Sequence, residues 1–310
     1  LYGAEAFGLL GVFTSVLIIL TPLGAFAYPI AIVLPQKDDD ARALAKLSLL
    51  IACFVSSLLF FVLILLKEDL TLLFNLQEIA NYLWLIPIAL FFTALQQIMQ
   101  QWLIRKKQYL VTARIAVSQS IIVNIMKVGV GWYNPAGAIL IITTVIGSAL
   151  YAIQLWFGAK KLTSHENKIH ITTDASISLK KIAFKYRDFS LYRAPQQFIN
   201  AFSQSLPILM LASFFGPAVA GFYTLARSVM TIPTALIGKA VGDVFYPRIT
   251  EAKHNNEDVF KLILQATLVL AAVGFLPFVL IMIFGPWVFN IVFGAEWVKA
   301  GEYASWLSLW

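Results

Sequence analysis

Charge is what this sequence has least of. Only 13% of its 310 residues are Asp, Glu, Lys or Arg, about half of the roughly 25% usual in a soluble domain. The single cysteine, Cys53, stands inside an apolar run, which excludes an intramolecular disulfide and a cysteine-based metal site. The three histidines, His165, His170 and His254, all fall in polar loops, so no His/Cys metal centre is expected within a membrane and no cofactor is implied. Neither Met nor a signal peptide opens the chain at Leu1, and it stops at Trp310 inside an apolar run. We therefore expect a piece of a longer protein, truncated at both ends.

What the chain has in abundance is apolar sequence. Hydrophobic residues make up 60%, the mean hydropathy is +0.80, and the apolar runs recur at about 20 residues, the length that crosses a bilayer as a helix. The composition predicts an all-α, polytopic transmembrane protein. Eight complete spans are expected at roughly 6–34, 41–66, 78–104, 108–131, 136–158, 189–215, 217–247 and 258–285, with a ninth starting near Val298.

The basic residues gather on alternate loops. One set holds Lys37, Arg42 and Lys46, then Arg105 to Lys107 with Arg114, then the segment from Lys160 to Arg193, then Arg248, Lys253 and Lys261. The opposite loops carry only Lys67 and Lys299. The positive-inside rule puts the basic loops in the cytoplasm. It also accounts for the net charge of +7 without nucleic acid. The run Asp38-Asp39-Asp40 reads as a solvated loop cap.

The longest polar break, residues 159–188, is expected to link an N-terminal lobe, 1–158, to the start of a second, 189–310. Its latter part, from Ser178, mixes Leu179, Ile182, Phe184 and Tyr186 with Lys180, Lys181, Lys185 and Arg187. Such a mixture is either an interfacial helix on anionic lipid or a solvated linker.

Sliding the chain on itself by 213 positions reveals a repeat. Gly3 then meets Gly216, Gly8 meets Gly221, Ser15-Val16 meets Ser228-Val229, and Ile19, Thr21 and Leu23 meet Ile232, Thr234 and Leu236. The twins are an even number of spans apart, so both copies run in the same direction. Parallel repeats related by an axis along the membrane normal form a transporter architecture with its substrate cavity at the repeat interface. We expect two pseudo-symmetric, parallel lobes of about six helices each.

The segments YGAEAFGLLGVFTS, YPIAIVLPQKDDDARAL, QQWLIRKKQY and FGPAVAGFYTLARSVMTIPTALIGKAVGDVFYPRITEA resemble the polysaccharide-transporter branch of the MOP superfamily. These are the O-antigen and exopolysaccharide repeat-unit (Wzx-type) flippases, which share a two-lobed architecture with the MATE exporters. The resemblance implies translocation of undecaprenyl-diphosphate-linked oligosaccharide across the bacterial inner membrane. Membrane lipids, a glycan polymerase and a chain-length regulator would be its partners, and H+ or Na+ a coupling ion. It implies no enzyme activity.

Ionisable residues at membrane depth are functional candidates by default. Arg227 is the first of them, because a guanidinium binds phosphate oxygens in a bidentate fork; the alternative is a bond to a neighbouring helix. Lys127, with Asn124 on the same span, lies on the side where the positive-inside rule does not call for a cation. Arg114 lies at that span's opposite end. Lys239 and Asp243, one turn apart, are either an ion pair or a gate. Arg193, Gln197, Asn200 and Gln204 share one span; Gln196, Asn200 and Gln204 follow i, i+4, i+8 and form one polar face. Such a face either lines a wet cavity for sugar hydroxyls or joins helices. Part of the cluster Gln96, Gln97, Gln100 and Gln101 is expected among the lipid headgroups. A multidrug or ion-coupled antiporter of the same fold is the competing function.

Overall fold

The computed structural model describes residues 1–73, 77–166, 178–233 and 258–309. Among them every regular element is a helix. The helices are α1 (Ala4–Gly24), α2 (Asp38–Leu73), α3 (Leu85–Arg105), α4 (Tyr109–Tyr133), α5 (Gly137–Glu166), α6 (Leu179–Lys185), α7 (Ala194–Phe215), α8 (217–233), α9 (Val259–Phe293) and α10 (Val298–Leu307). Six helical segments are long and apolar enough to cross a membrane: Ala4–Gly24, Asp38–Leu66, Tyr109–Tyr133, Gly137–Lys160, Phe189–Phe215 and Leu262–Phe293.

Two expected spans differ in form. The first stops at Gly24, where Phe26 and Ala27 adopt left-handed backbone, and the chain turns into a 3₁₀ segment, Tyr28–Val33. Pro29 in that segment has no N–H for a continuing helix. The third begins at Leu85 after a 3₁₀ turn, Gln77–Tyr82. Four glutamines keep α3 below the apolarity of the six segments, yet it is a central helix of the bundle. Its Ile86, Leu90, Ile98 and Leu103 are fully buried. Gln96 donates to the Ser148 carbonyl at 2.7 Å and Gln100 to the Tyr151 hydroxyl at 2.9 Å. Gln96 and Gln100 therefore join α3 to α5, which matters because an unmet amide costs several kcal/mol, on the order of 4–8, in hydrocarbon.

The outside of the bundle is oily. Leu65, Leu110, Trp132 and Phe275 are each more than two-thirds exposed, a surface that suits lipid and would associate in water. Three larger apolar clusters lie inside. One joins Val12 and Phe13 of α1 to Ile86 of α3, Ile141 of α5 and Ile208 and Ala212 of α7. A second gathers Tyr28, Leu44, Leu103, Leu155 and Ile182. The third places Ala4 of α1 with Leu225 and Ala226 of α8, Phe289 of α9 and Trp297.

The acidic run stands in the first turn of α2, and two of its members are also bonded across the fold. Asp38 accepts from Arg105 through both Nε, at 3.0 Å, and Nη2, at 2.8 Å, and from Lys106 Nζ at 2.7 Å. Arg105 also donates to the carbonyls of Ile32, Val33, Pro35 and Gln36. Asp40 holds Lys185 at 3.2 Å. The sequence signal was the opposite charge of two runs far apart in the chain, which only the hairpin of α2 and α3 brings to the same end.

Candidate functional site

Helices α7 and α8 form an antiparallel pair turning at Gly216, whose φ of 86° places it in the left-handed region that favours glycine. Arg227 lies eleven residues past that turn. At about 1.5 Å per residue it stands about 16 Å along the helix, close to the middle of a hydrocarbon core of about 30 Å. A bare cation there costs at least about 2.5–3.5 kcal/mol, so its partners matter.

Gln204 of α7 supplies them. The Arg227 guanidinium donates through Nη1 to the Gln204 backbone carbonyl and through Nη2 to its side-chain Oε1 at 3.1 Å. The Gln204 amide then donates to Asn200 Oδ1 at 3.2 Å. Pro207, one turn further along α7, removes an N–H from the helix ladder in this region. A guanidinium carries five N–H donors, so two bonds leave Arg227 with donors for an anion. It also borders a cleft of about 770 Å³, lined besides by Thr231 of α8, Gly274 and Phe278 of α9 and Ser308. Arg227 thus realises the bond to a neighbouring helix and still faces open space.

Of the remaining residues singled out in the sequence, Asn200 and Gln204 are exposed along α7, and Gln197 is half-buried. Arg193 donates to Gln196 at 3.0 Å at the start of the same helix. Asn124 and Lys127 stand on α4, which packs on α5 and the edge of α3. The Asn124 amide donates to the Ser120 carbonyl of its own helix at 2.8 Å. The Lys127 carbonyl accepts from the Tyr2 hydroxyl at 2.7 Å, while its ammonium makes no ion pair among the described residues. Arg114 is exposed on α4 beside Val117 and Ser118. No bond joins these α4 residues to the Arg227 group among the described residues. Lys239 and Asp243 lie outside the described residues.

At the Gly216 end of this pair, α8 crosses α1 through the twin glycines of the repeat. A Cβ at Gly8 would collide with the Pro217 carbonyl, and one at Gly221 with the Ala4 carbonyl. Pro217 and Ala4 are themselves twins. Gly11 lies against Thr224, its own twin. Trp297, after α9, packs edge-on against both Phe7 of α1 and Phe222 of α8 at 5.2 and 5.9 Å. Glu296 accepts the Ala4 N–H at 3.1 Å, at the N-terminus of α1. Sequence reading found the glycine twins but had no means to bring them into contact with each other.

Residues 1–302 match the family described as polysaccharide biosynthesis protein. The amylovoran biosynthesis protein AmsL of Erwinia amylovora is 21% identical over 205 residues, 66% of this chain and 50% of that protein. The teichuronic acid biosynthesis protein TuaB of Bacillus subtilis (strain 168) is 25% identical over 112 residues, 36% of this chain and 23% of that protein. The matched segments span at most half the length of these relatives. An inward-facing multidrug resistance MATE family transporter of the MOP superfamily superimposes over 99% of this chain and 72% of its own, with a TM-score of 0.63 and 16% identity. With a family match over nearly its whole length and that superposition, this multi-pass membrane protein belongs to the polysaccharide biosynthesis protein family and has a MATE-like fold.

Proposed function

We propose that the chain is part of a flippase that moves an undecaprenyl-diphosphate-linked oligosaccharide from the cytoplasmic to the periplasmic leaflet of a bacterial inner membrane. The observation that carries this reading is Arg227. It is a guanidinium eleven residues into α8, held by the polar face of α7, with donors left over at an open cleft. A diphosphate needs such a fork of N–H groups, and sugar hydroxyls find amides in Asn200 and Gln204. Lys127, and Arg114 at the other end of α4, are proposed to continue a cationic path through the interlobe cavity. Lys239 and Asp243 are proposed as a gate or ion pair.

Two lobes, 1–158 and 189–310, would rock about the linker 159–188. The reciprocal crossing of α1 and α8 supports this, because a contact that maps twin onto twin is what a two-fold axis between lobes produces. With the positive-inside orientation, the crossing lies at the periplasmic end of both helices, so this state would open to the cytoplasm. No chemical step is needed for such a transfer.

The test is Arg227→Ala in the full-length protein, with Arg227→Lys beside it. Loss of surface glycan with normal membrane insertion, partly restored by Lys, is expected. Normal surface glycan in Arg227→Ala would sink the reading. The structural likeness to a multidrug exporter favours a second reading, an ion-coupled antiporter. It predicts that Arg227→Ala leaves glycan export intact and alters resistance to cationic drugs instead.

A further inference from the structure

The short helix α6 has two faces with different roles. Its inner face is clamped to the bundle. Ile182 is 2% exposed and packs in the cluster of Tyr28, Leu44, Leu103 and Leu155. The Tyr28 hydroxyl donates to the Ala183 carbonyl at 3.2 Å, and Lys185 holds Asp40 at the start of α2. That hydrogen bond to the Asp40 carboxylate, with the nearby Tyr186, raises the Lys185 pKa above its ordinary value.

The outer face carries Lys180, Lys181, Phe184 and, just past the helix end, Arg187. At 100° per residue these four lie within about 120° of one another, on the side opposite Ile182. Lys180 and Lys181 are exposed, and Phe184 is 67% exposed. The Arg187 guanidinium stands 4.3 Å over the Phe184 ring, an arrangement that keeps aromatic and cation on the same outer patch. Asp188 is the acid adjoining this patch in the chain. A π turn, Phe189–Arg193, follows directly and presents Leu191 and Tyr192, 58% and 73% exposed. It forms the first turn of the segment Phe189–Phe215, long and apolar enough to cross a membrane. The patch therefore stands where a span enters the bilayer.

We propose that this outer face is a binding site for anionic phospholipid. Lys180, Lys181 and Arg187 take the headgroup phosphates, and Phe184 with Tyr192 enters the acyl boundary. The chemistry is that of an interfacial amphipathic helix, in which cations meet anionic headgroups and an aromatic ring sits below them. Because the inner face is fixed to α2 and the first 3₁₀ segment, lipid held on the outer face would set the height of the N-terminal bundle in the membrane. The inference does not depend on what the protein transports.

The experiment uses the full-length protein, with a nitroxide on Phe184→Cys in a background in which Cys53 and any other cysteine are replaced by serine, in vesicles of phosphatidylethanolamine with 30 mol% phosphatidylglycerol. The label is expected to collide with oxygen and to be shielded several-fold from a water-soluble nickel chelate. The shielding should fall in pure phosphatidylcholine, and in the variant K180Q/K181Q/R187Q. Free access of the chelate in all lipids would make α6 a solvated linker and overturn the proposal. Shielding from both oxygen and chelate would mean a covering protein segment and would overturn it equally. Because the label replaces the ring, a second measurement uses native Phe184. Native mass spectrometry should show phosphatidylglycerol retained by the parent protein and at least threefold less by K180Q/K181Q/R187Q. Equal retention would contradict the site.

Discussion

Gly8 of α1 and Gly221 of α8 face one another at a crossing whose contacts come in mirrored pairs. Gly8 lies against the carbonyl of Pro217, and Gly221 against the carbonyl of Ala4, with the Gly8 N–H nitrogen 2.9 Å from where a Gly221 Cβ would stand. Each residue of one contact is the repeat twin of a residue in the other. Small residues let helix backbones approach this closely in membranes, where packing replaces the hydrophobic drive.

Such symmetry makes a quantitative demand. Gly8→Ala and Gly221→Ala should each weaken the crossing by a similar amount, about 1–3 kcal/mol, because a methyl there meets backbone rather than a movable side chain. A cysteine pair at Gly11 and Thr224, in a background in which Cys53 and any other cysteine are replaced by serine, should form a disulfide, and either alanine should lower its yield tenfold or more. Unchanged cross-linking in both would mean the crossing is not closed in the membrane.

Arg227 and Gln204 should be coupled. Gln204→Leu removes the side-chain acceptor but leaves the backbone carbonyl, so it should weaken the bundle by less than Arg227→Leu, which removes both bonds. Interhelical polar contacts in membranes are worth about 0.6 kcal/mol on average and up to about 1.7. A double-mutant cycle on unfolding should return a value in that range for this pair, and near zero for Arg227 with Asn124, which shares no bond with it.

The Asp38 cluster should resist conservative replacement. Arg105 uses its planar fork on one carboxylate and several carbonyls, a geometry no ammonium reproduces. Arg105→Lys should lower the melting temperature in detergent nearly as much as Arg105→Ala, at a cost of about 1.5–3 kcal/mol. Lys106→Ala should cost less, because Asp38 keeps both bonds to Arg105. A melting temperature for Arg105→Lys equal to that of the parent would contradict this.

The glutamines of α3 should behave as joints. Gln96→Leu leaves the Ser148 carbonyl without its side-chain donor, and Gln100→Leu does the same to the Tyr151 hydroxyl. Each should cost about 0.5–1.5 kcal/mol, read as a shift in thermal unfolding, with little effect on lipid contact. Greater accessibility of residue 96 to aqueous reagents than to lipid-soluble ones would return these residues to the headgroup region.

Much of the molecule was legible from local sequence. Apolar length alone marked α1, α2, α4, α5, α7 and α9 as spans, since a bilayer fixes about 20 residues per crossing. The 3.6-residue period put Gln196, Asn200 and Gln204 on one face of α7, and the shift of 213 residues found the twins. The ends of α1 and α3 were less legible, because 3₁₀ segments in a hydrophobic run look like more helix.

Sequence by itself determined the membrane class, the polar face of α7, the cation inside α8 and the twinned glycine positions, because these depend on residues near in the chain or on its self-similarity. Only tertiary structure decided partners. It tied Arg227 to Gln204, Asp38 to Arg105 and Gln96 to α5, and it pressed Gly8 against the helix of its twin. The physical reason is rotation. A helical period says which side chains share a face, but which neighbour that face meets is set by how helices far apart in sequence turn and cross when they pack.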